Sequence, residues 1–236
     1  MRKLGRTELE VQRVGFGGIP IQRITQEEAN LVIRELQNQG VNFIDSARGY
    51  TISEEYIGNA IEGSRENWIL ATKSMSRTYD GMMKDVEISL DNLKTEYIDL
   101  YQLHNVKFNE YDNVFDKDMA YEALLECKRK GKIKNIGITS HSLDTIKKAV
   151  YSGKFDTIQF PYNIVEDQAD EIFREANKHK DEDYLSYHRF IRYMKNKETQ
   201  KNNENGNLTY DQWYQVVKDE EFENLQLYQE RKANKE

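Results

Sequence analysis

From residue 12 to about residue 180, short apolar runs alternate with amphipathic stretches of helical length, the pattern of repeated strand and helix units. The runs that predict strands are QRVGFGG (12–18), VNFID (41–45), WILATK (68–73), YIDLYQLH (97–104), KIKNIGITS (132–140) and FDTIQF (155–160). Between and after them, helices are expected over 25–40, 53–64, 80–94, 116–132, 143–154 and 166–180. Thr25 ahead of Gln26-Glu27-Glu28 and Ser53 ahead of Glu54-Glu55 are start signals, and Gly40, Gly63, Gly131 and Gly153 are stop signals. Strands joined through crossover helices pair in parallel and are covered on both faces, which accounts for their continuous apolar character. The class is α/β, and this pattern alone leaves open sheet and closed barrel undecided.

The polar positions decide it. Asp45, Lys73 and His104 each close a different predicted strand, and Ser140-His141 and Gln159 do the same for two more. In a (β/α)8 barrel the C-terminal ends of the strands form the active face, so reactive groups repeated at that position predict a TIM-barrel-like fold. An Asp, a Lys and a His there, with Tyr50 five residues beyond Asp45, form a set suited to protonating a carbonyl oxygen. A phenol with an ordinary pKa of about 10 is a poor acid at neutral pH, and a neighbouring ammonium makes it a better one. Lys73 can supply that charge, Asp45 can balance it, and His104 can orient the carbonyl. No Ser or Cys stands beside a general base, so covalent catalysis is poorly supported, and a hydride from a bound nicotinamide would supply the missing nucleophile.

Composition narrows the setting. A chain of 236 residues with 38% hydrophobic and 11% aromatic content can build a substantial core. A net charge of −7 argues against a general nucleic-acid surface. The single cysteine, Cys127, excludes an internal disulfide framework and sits at helical spacing as a packing residue in a reducing compartment. Neither a signal-type apolar segment nor a membrane-length run is present, and a soluble cytoplasmic protein without membrane partners is expected.

The segments LGRTELEVQRVGFGGIPIQ, NFIDSARGY with SEEYIGNAI, ILATKS, YIDLYQLHN, GKIKNIGITSHS and FDTIQFPYN together resemble the aldo-keto reductase family over residues 3–180. The resemblance implies a hairpin ahead of the first strand, NADPH as cofactor and a small-molecule carbonyl as substrate. It implies Tyr50 as general acid, Lys73 as the group that acidifies it, Asp45 as the partner of Lys73, and His104 as the orienting group. It also implies Gly18, Ile19, Asp45, Ser140, His141 and Gln159 beside the cofactor, with Ser140 and Gln159 on the carboxamide and His141 where many relatives have Asn.

After residue 180 the family's seventh and eighth units are not recognisable. The expectation is an incomplete barrel portion of about six parallel strands over 1–180 and a helical tail over 181–236. In the tail, Tyr184, Tyr187, Ile191 and Met194, and then Tyr210, Trp213, Tyr214 and Val217, fall at helical spacing. The intervening KNNENGNLTYDQ has Lys201 and Gln212 where a calcium loop needs an acid and a bidentate Glu, so it does not read as a metal site. Two readings remain: a carbonyl-reducing enzyme, or a non-enzymatic interaction module built on a partial barrel. In either, a second copy of the chain is a candidate cover for the open sheet edge.

Overall fold

The computed structural model describes residues 1–162 and Ile172. The chain divides into two compact units, Met1–Pro161 with Asp170–Phe190, and Tyr162–Ala169 with Ile191–Glu236. Apart from Tyr162, the described residues belong to the first, and the helices expected over 166–180 and in the tail lie outside the described residues.

A short antiparallel hairpin, β1 (Arg2–Lys3) and β2 (Glu10–Val11), precedes a six-stranded parallel sheet. Its strands, β3 (Phe16–Gly17), β4 (Phe43–Asp45), β5 (Ile69–Ser74), β6 (Ile98–Leu103), β7 (Ile133–Thr139) and β8 (Thr157–Gln159), lie side by side in chain order. Helices α1 (Gln26–Asn38), α2 (Ser53–Ala60), α3 (Tyr79–Asn92), α4 (Ala120–Arg129) and α5 (Leu143–Ser152) make the crossovers. Six parallel strands in sequential order, each followed or preceded by a helix, form the six-unit part of a (β/α) barrel.

Local chemistry explains the boundaries. Thr25 caps α1 in a capping box with Glu28, as its sequence signal predicts, and Gly153 ends α5 in the left-handed conformation at φ 65°. Ser53 departs from expectation: it is the first helical residue rather than the cap, because its hydroxyl donates to the Gly18 carbonyl at 2.9 Å and meets Ser46 Oγ at 2.9 Å. The helix expected over 116–132 starts only at Ala120, since Asp118 adopts φ 62° and the chain turns there first. β3 is shorter than its apolar run because the Gln12 amide donates to the Asn42 side chain at 2.9 Å instead of to a strand.

Alternation along the strands separates two cores. Ile44, Leu70, Tyr101, Leu103, Ile136 and Ile138 pack against the helices in the large core. On the opposite face Phe43, Ala71 and Leu100 join Leu4 and Val11 of the hairpin in a smaller cluster. The hairpin therefore plugs the N-terminal end of the sheet's inner face. It also reaches the segment that leads into β8, because Arg6 donates its amide to Asp156 O at 2.9 Å and its guanidinium to Gly153 O at 2.9 Å.

Gly5 makes that reach feasible. It holds φ +57°, and a Cβ there would lie 2.3 Å from Asp156 O. Gly5→Ala is expected to destabilise the protein by about 2–3 kcal/mol through left-handed strain and displacement of the hairpin from β8. Urea unfolding followed by tryptophan fluorescence measures it, and an unchanged midpoint would mean that the hairpin tie is dispensable. Cys127 is fully buried with Met83 Sδ at 3.5 Å, and burial pushes its thiol up to about 11, as befits a packing residue.

Candidate functional site

The inner face changes character towards the C-terminal ends of the strands. In the register, Asp45 pairs with Ala71, Lys73 with Gln102, Gln102 with Gly137, and Thr139 with Gln159. Side chains two residues apart share a face, so Lys73 stands one step above Ala71 and Gln102 one step above Leu100. The apolar plug thus gives way to a polar layer of Asp45, Lys73 and Gln102, all buried.

Lys73 and Asp45 are an ion pair at 2.5 Å, with side chains 4% and 6% exposed. Lys73 Nζ also donates to Ser46 O at 2.7 Å, while Asp45 Oδ1 accepts from Gln102 Nε2 at 3.0 Å. Both oxygens of this carboxylate and two of the three ammonium donors are therefore engaged, as a buried pair requires. Lys73 Nζ lies 5.0 Å from the centroid of the half-buried Tyr50 ring. His104 meets the same ring edge-on, with centroids 6.0 Å apart and planes at 89°. Burial, and after it the Lys73 ammonium, lower the His104 imidazole to about 4, so it is neutral at neutral pH. Its Nδ1 is buried and has no hydrogen-bond partner among the described residues.

Tyr50 is held by its backbone. The loop after β4 returns through Arg48 N donating to Lys73 O at 2.9 Å, Tyr50 N to Ala47 O at 3.0 Å, and Ser53 N to Tyr50 O at 2.8 Å. Beneath it, Glu54 has no exposed surface and accepts from Arg48 at 2.8 Å, Thr72 at 2.7 Å, Ser89 at 2.8 Å and Asn92 at 3.3 Å. The backbone at His104 is fixed in turn by Arg77, whose Nη2 donates to His104 O at 2.9 Å and Asn105 O at 3.3 Å.

The remaining expected positions are less uniform. Gly18 is buried, donates its amide to Asp45 O at 2.8 Å, and a Cβ on it would come within 2.8 Å of Ser53 Oγ. Ile19 beside it is 47% exposed. Ser140 and Gln159 are joined by Ser140 N donating to Gln159 O at 3.1 Å. The Ser140 hydroxyl already donates to Val106 O at 2.6 Å and accepts from Ser142 N at 3.0 Å, whereas Gln159 Oε1 is buried and has no partner among the described residues. His141 is exposed at the rim. Sequence reasoning missed Gln102, Arg48, Glu54 and Arg77 as supports of this layer. The one available signal was the amide of Gln102 interrupting an apolar strand two residues before His104.

The protein thus presents a parallel (β/α) barrel sheet with a buried Lys and Asp pair, a Tyr and a neutral His at its C-terminal rim. Its family is given by comparison: the profile of the aldo/keto reductase family matches residues 13–223, and the chain belongs to that family. That match continues past residue 180, where the recognisable motifs end. The uncharacterized oxidoreductase YqkF of Bacillus subtilis is 32% identical over 193 residues, covering 76% of this chain and 61% of YqkF. L-galactose dehydrogenase of Arabidopsis thaliana is 31% identical over 159 residues, covering 61% of this chain and 49% of that enzyme. The chain spans about half to three-fifths of the length of these curated relatives. Among solved structures, the holo form of aldo-keto reductase AKR11C1 from Bacillus halodurans superposes with a TM-score of 0.68 at 30% identity, covering 75% of this chain and 62% of that one. Among the described residues no helix is long and apolar enough to cross a membrane, and no cluster of ligands suited to a metal occurs.

Proposed function

We propose that this chain reduces an aldehyde or ketone with NADPH, using Tyr50 as the acid, Lys73 as the charge that makes it competent, Asp45 as the partner of that charge, and His104 as the group that orients the carbonyl. The observation that carries the reading is the buried Lys73 and Asp45 pair within 5.0 Å of the Tyr50 ring centroid. An ion pair taken out of water is weak as a stabilising device, and its place at a strand-end rim fits a chemical use better than a structural one.

A bound nicotinamide would supply a hydride to the carbonyl carbon. The chain's own part is the proton and the geometry. The phenol of Tyr50 would give its proton to the carbonyl oxygen, and the Lys73 ammonium favours the phenolate left behind. A neutral His104 keeps one ring N–H to donate to that oxygen, which a protonated ring would do only with a second repelling charge beside Lys73. The residues fit a carboxamide-bearing cofactor in one respect that can be named: Gln159 Oε1 is a buried acceptor with no donor among the described residues. Gly18, Ile19, Ser140 and His141 complete the proposed cofactor contacts. A holo form of the Bacillus halodurans relative supports a cofactor of some kind at this fold.

Titration of the protein with NADPH, followed by the cofactor's fluorescence, tests the cofactor half; absence of saturable binding would favour the non-enzymatic module. Tyr50→Phe tests the acid. With 4-nitrobenzaldehyde as probe, its kcat should fall by about a hundredfold or more while NADPH affinity persists, and unchanged turnover would remove Tyr50 from the mechanism.

A further inference from the structure

We infer that Gln102 is a positioning residue for Lys73, acting through Asp45, and that Gly137 is the space that lets it do so; the inference rests on the carbonyl-reducing reading of the site. Gln102 is 2% exposed and donates Nε2–H to Asp45 Oδ1 at 3.0 Å, while Lys73 takes Oδ2. A carboxylate only accepts, so the amide nitrogen must face it. With one donor on each oxygen the carboxylate cannot turn about its terminal torsion, which is otherwise broad and two-fold. The fixed Oδ2 and the Ser46 carbonyl then occupy two ammonium donors, and the third is left for the side on which Tyr50 stands.

The neighbouring strand is shaped for this amide. Lys73, Gln102 and Gly137 form one row across β5, β6 and β7. A Cβ at Gly137 would lie 2.9 Å from Gln102 Cγ, 3.2 Å from its Oε1 and 2.4 Å from Thr157 Oγ1. Any larger residue would push the amide off its line to Asp45. An acid at position 102 would repel Asp45, and an aliphatic residue would leave Oδ1 buried without a donor. Only a neutral donor of this length satisfies both conditions.

Gln102→Leu and the more flexible Gln102→Met test the inference in the full chain. With NADPH and 4-nitrobenzaldehyde, kcat should fall by about tenfold to a hundredfold while the KM for NADPH stays within about twofold, because the loss is in alignment and not in cofactor contact. A second readout needs no turnover. Gln102→Leu should lower Tm by about 5 °C in the parent chain and by much less when Asp45→Ala has already removed the acceptor. Equal Tm losses in the two backgrounds, or variant kcat values within about twofold of the parent, would overturn the role of Gln102. A parent protein that turns over nothing rejects the carbonyl-reducing reading instead, and the thermal cycle still judges the contact between Gln102 and Asp45.

Discussion

Lys73→Met should destabilise the protein by about 3–5 kcal/mol and abolish turnover of a carbonyl probe. The first effect follows from burial. Removing the ammonium leaves the Asp45 carboxylate, 6% exposed, with Gln102 as its remaining side-chain partner, and an uncompensated buried charge carries a penalty of that size. The second follows from position, because Lys73 Nζ lies 5.0 Å from the centroid of the Tyr50 ring and supplies the charge that favours its phenolate. The two effects can be separated. Adding Asp45→Asn removes the stranded charge, so the double variant should recover most of the stability and none of the activity. Urea unfolding and a turnover assay on the three proteins check this. A double variant as unstable as Lys73→Met would show that the loss comes from packing and not from charge.

Glu54→Ala is expected to have the other large effect, again about 3–5 kcal/mol, but on the frame behind the site. Four donors converge on this carboxylate, one of them the Arg48 guanidinium, and alanine would remove their common acceptor from a largely buried site. Among the described residues Arg48 would keep Asp85 as its carboxylate partner, at 3.9 Å. Glu54→Gln, which can offer one acceptor oxygen in place of two, should fall between. Because Arg48 belongs to the loop that carries Tyr50, amide exchange over residues 46–52 should accelerate more than in α5. Uniform acceleration across the chain would mean that Glu54 supports global stability without any particular link to the loop.

The sequence made the strand-ending polar residues visible because they interrupt apolar runs at one repeated position. Asp45 closes β4 and Lys73 falls one residue short of the end of β5, so a one-residue error in the strand boundary left the rim intact. Local signals of the same kind located Thr25 as a cap and Gly153 as a terminus. What stayed hidden was tertiary. Ser53 reads as a cap, but Gly18 and Ser46 take its hydroxyl from outside the helix. Glu54 reads only as a first-turn acid in a helix start signal, yet Thr72 and Ser89, distant in sequence, enclose it. Gln102 shows locally only as an amide interrupting an apolar strand, and its partner lies 57 residues away. Periodicity reports which face a residue occupies, and it is silent on what stands opposite.

The hairpin that plugs the sheet has a consequence for the order of events in folding. Arg6 finds its acceptor across 147 residues, and Gly5 packs on the same late segment. A nascent chain exposes these residues long before β8, and their docking surface is finished only when β8 emerges. Contacts of such long sequence separation form slowly, so the hairpin settles only after β8 has been made.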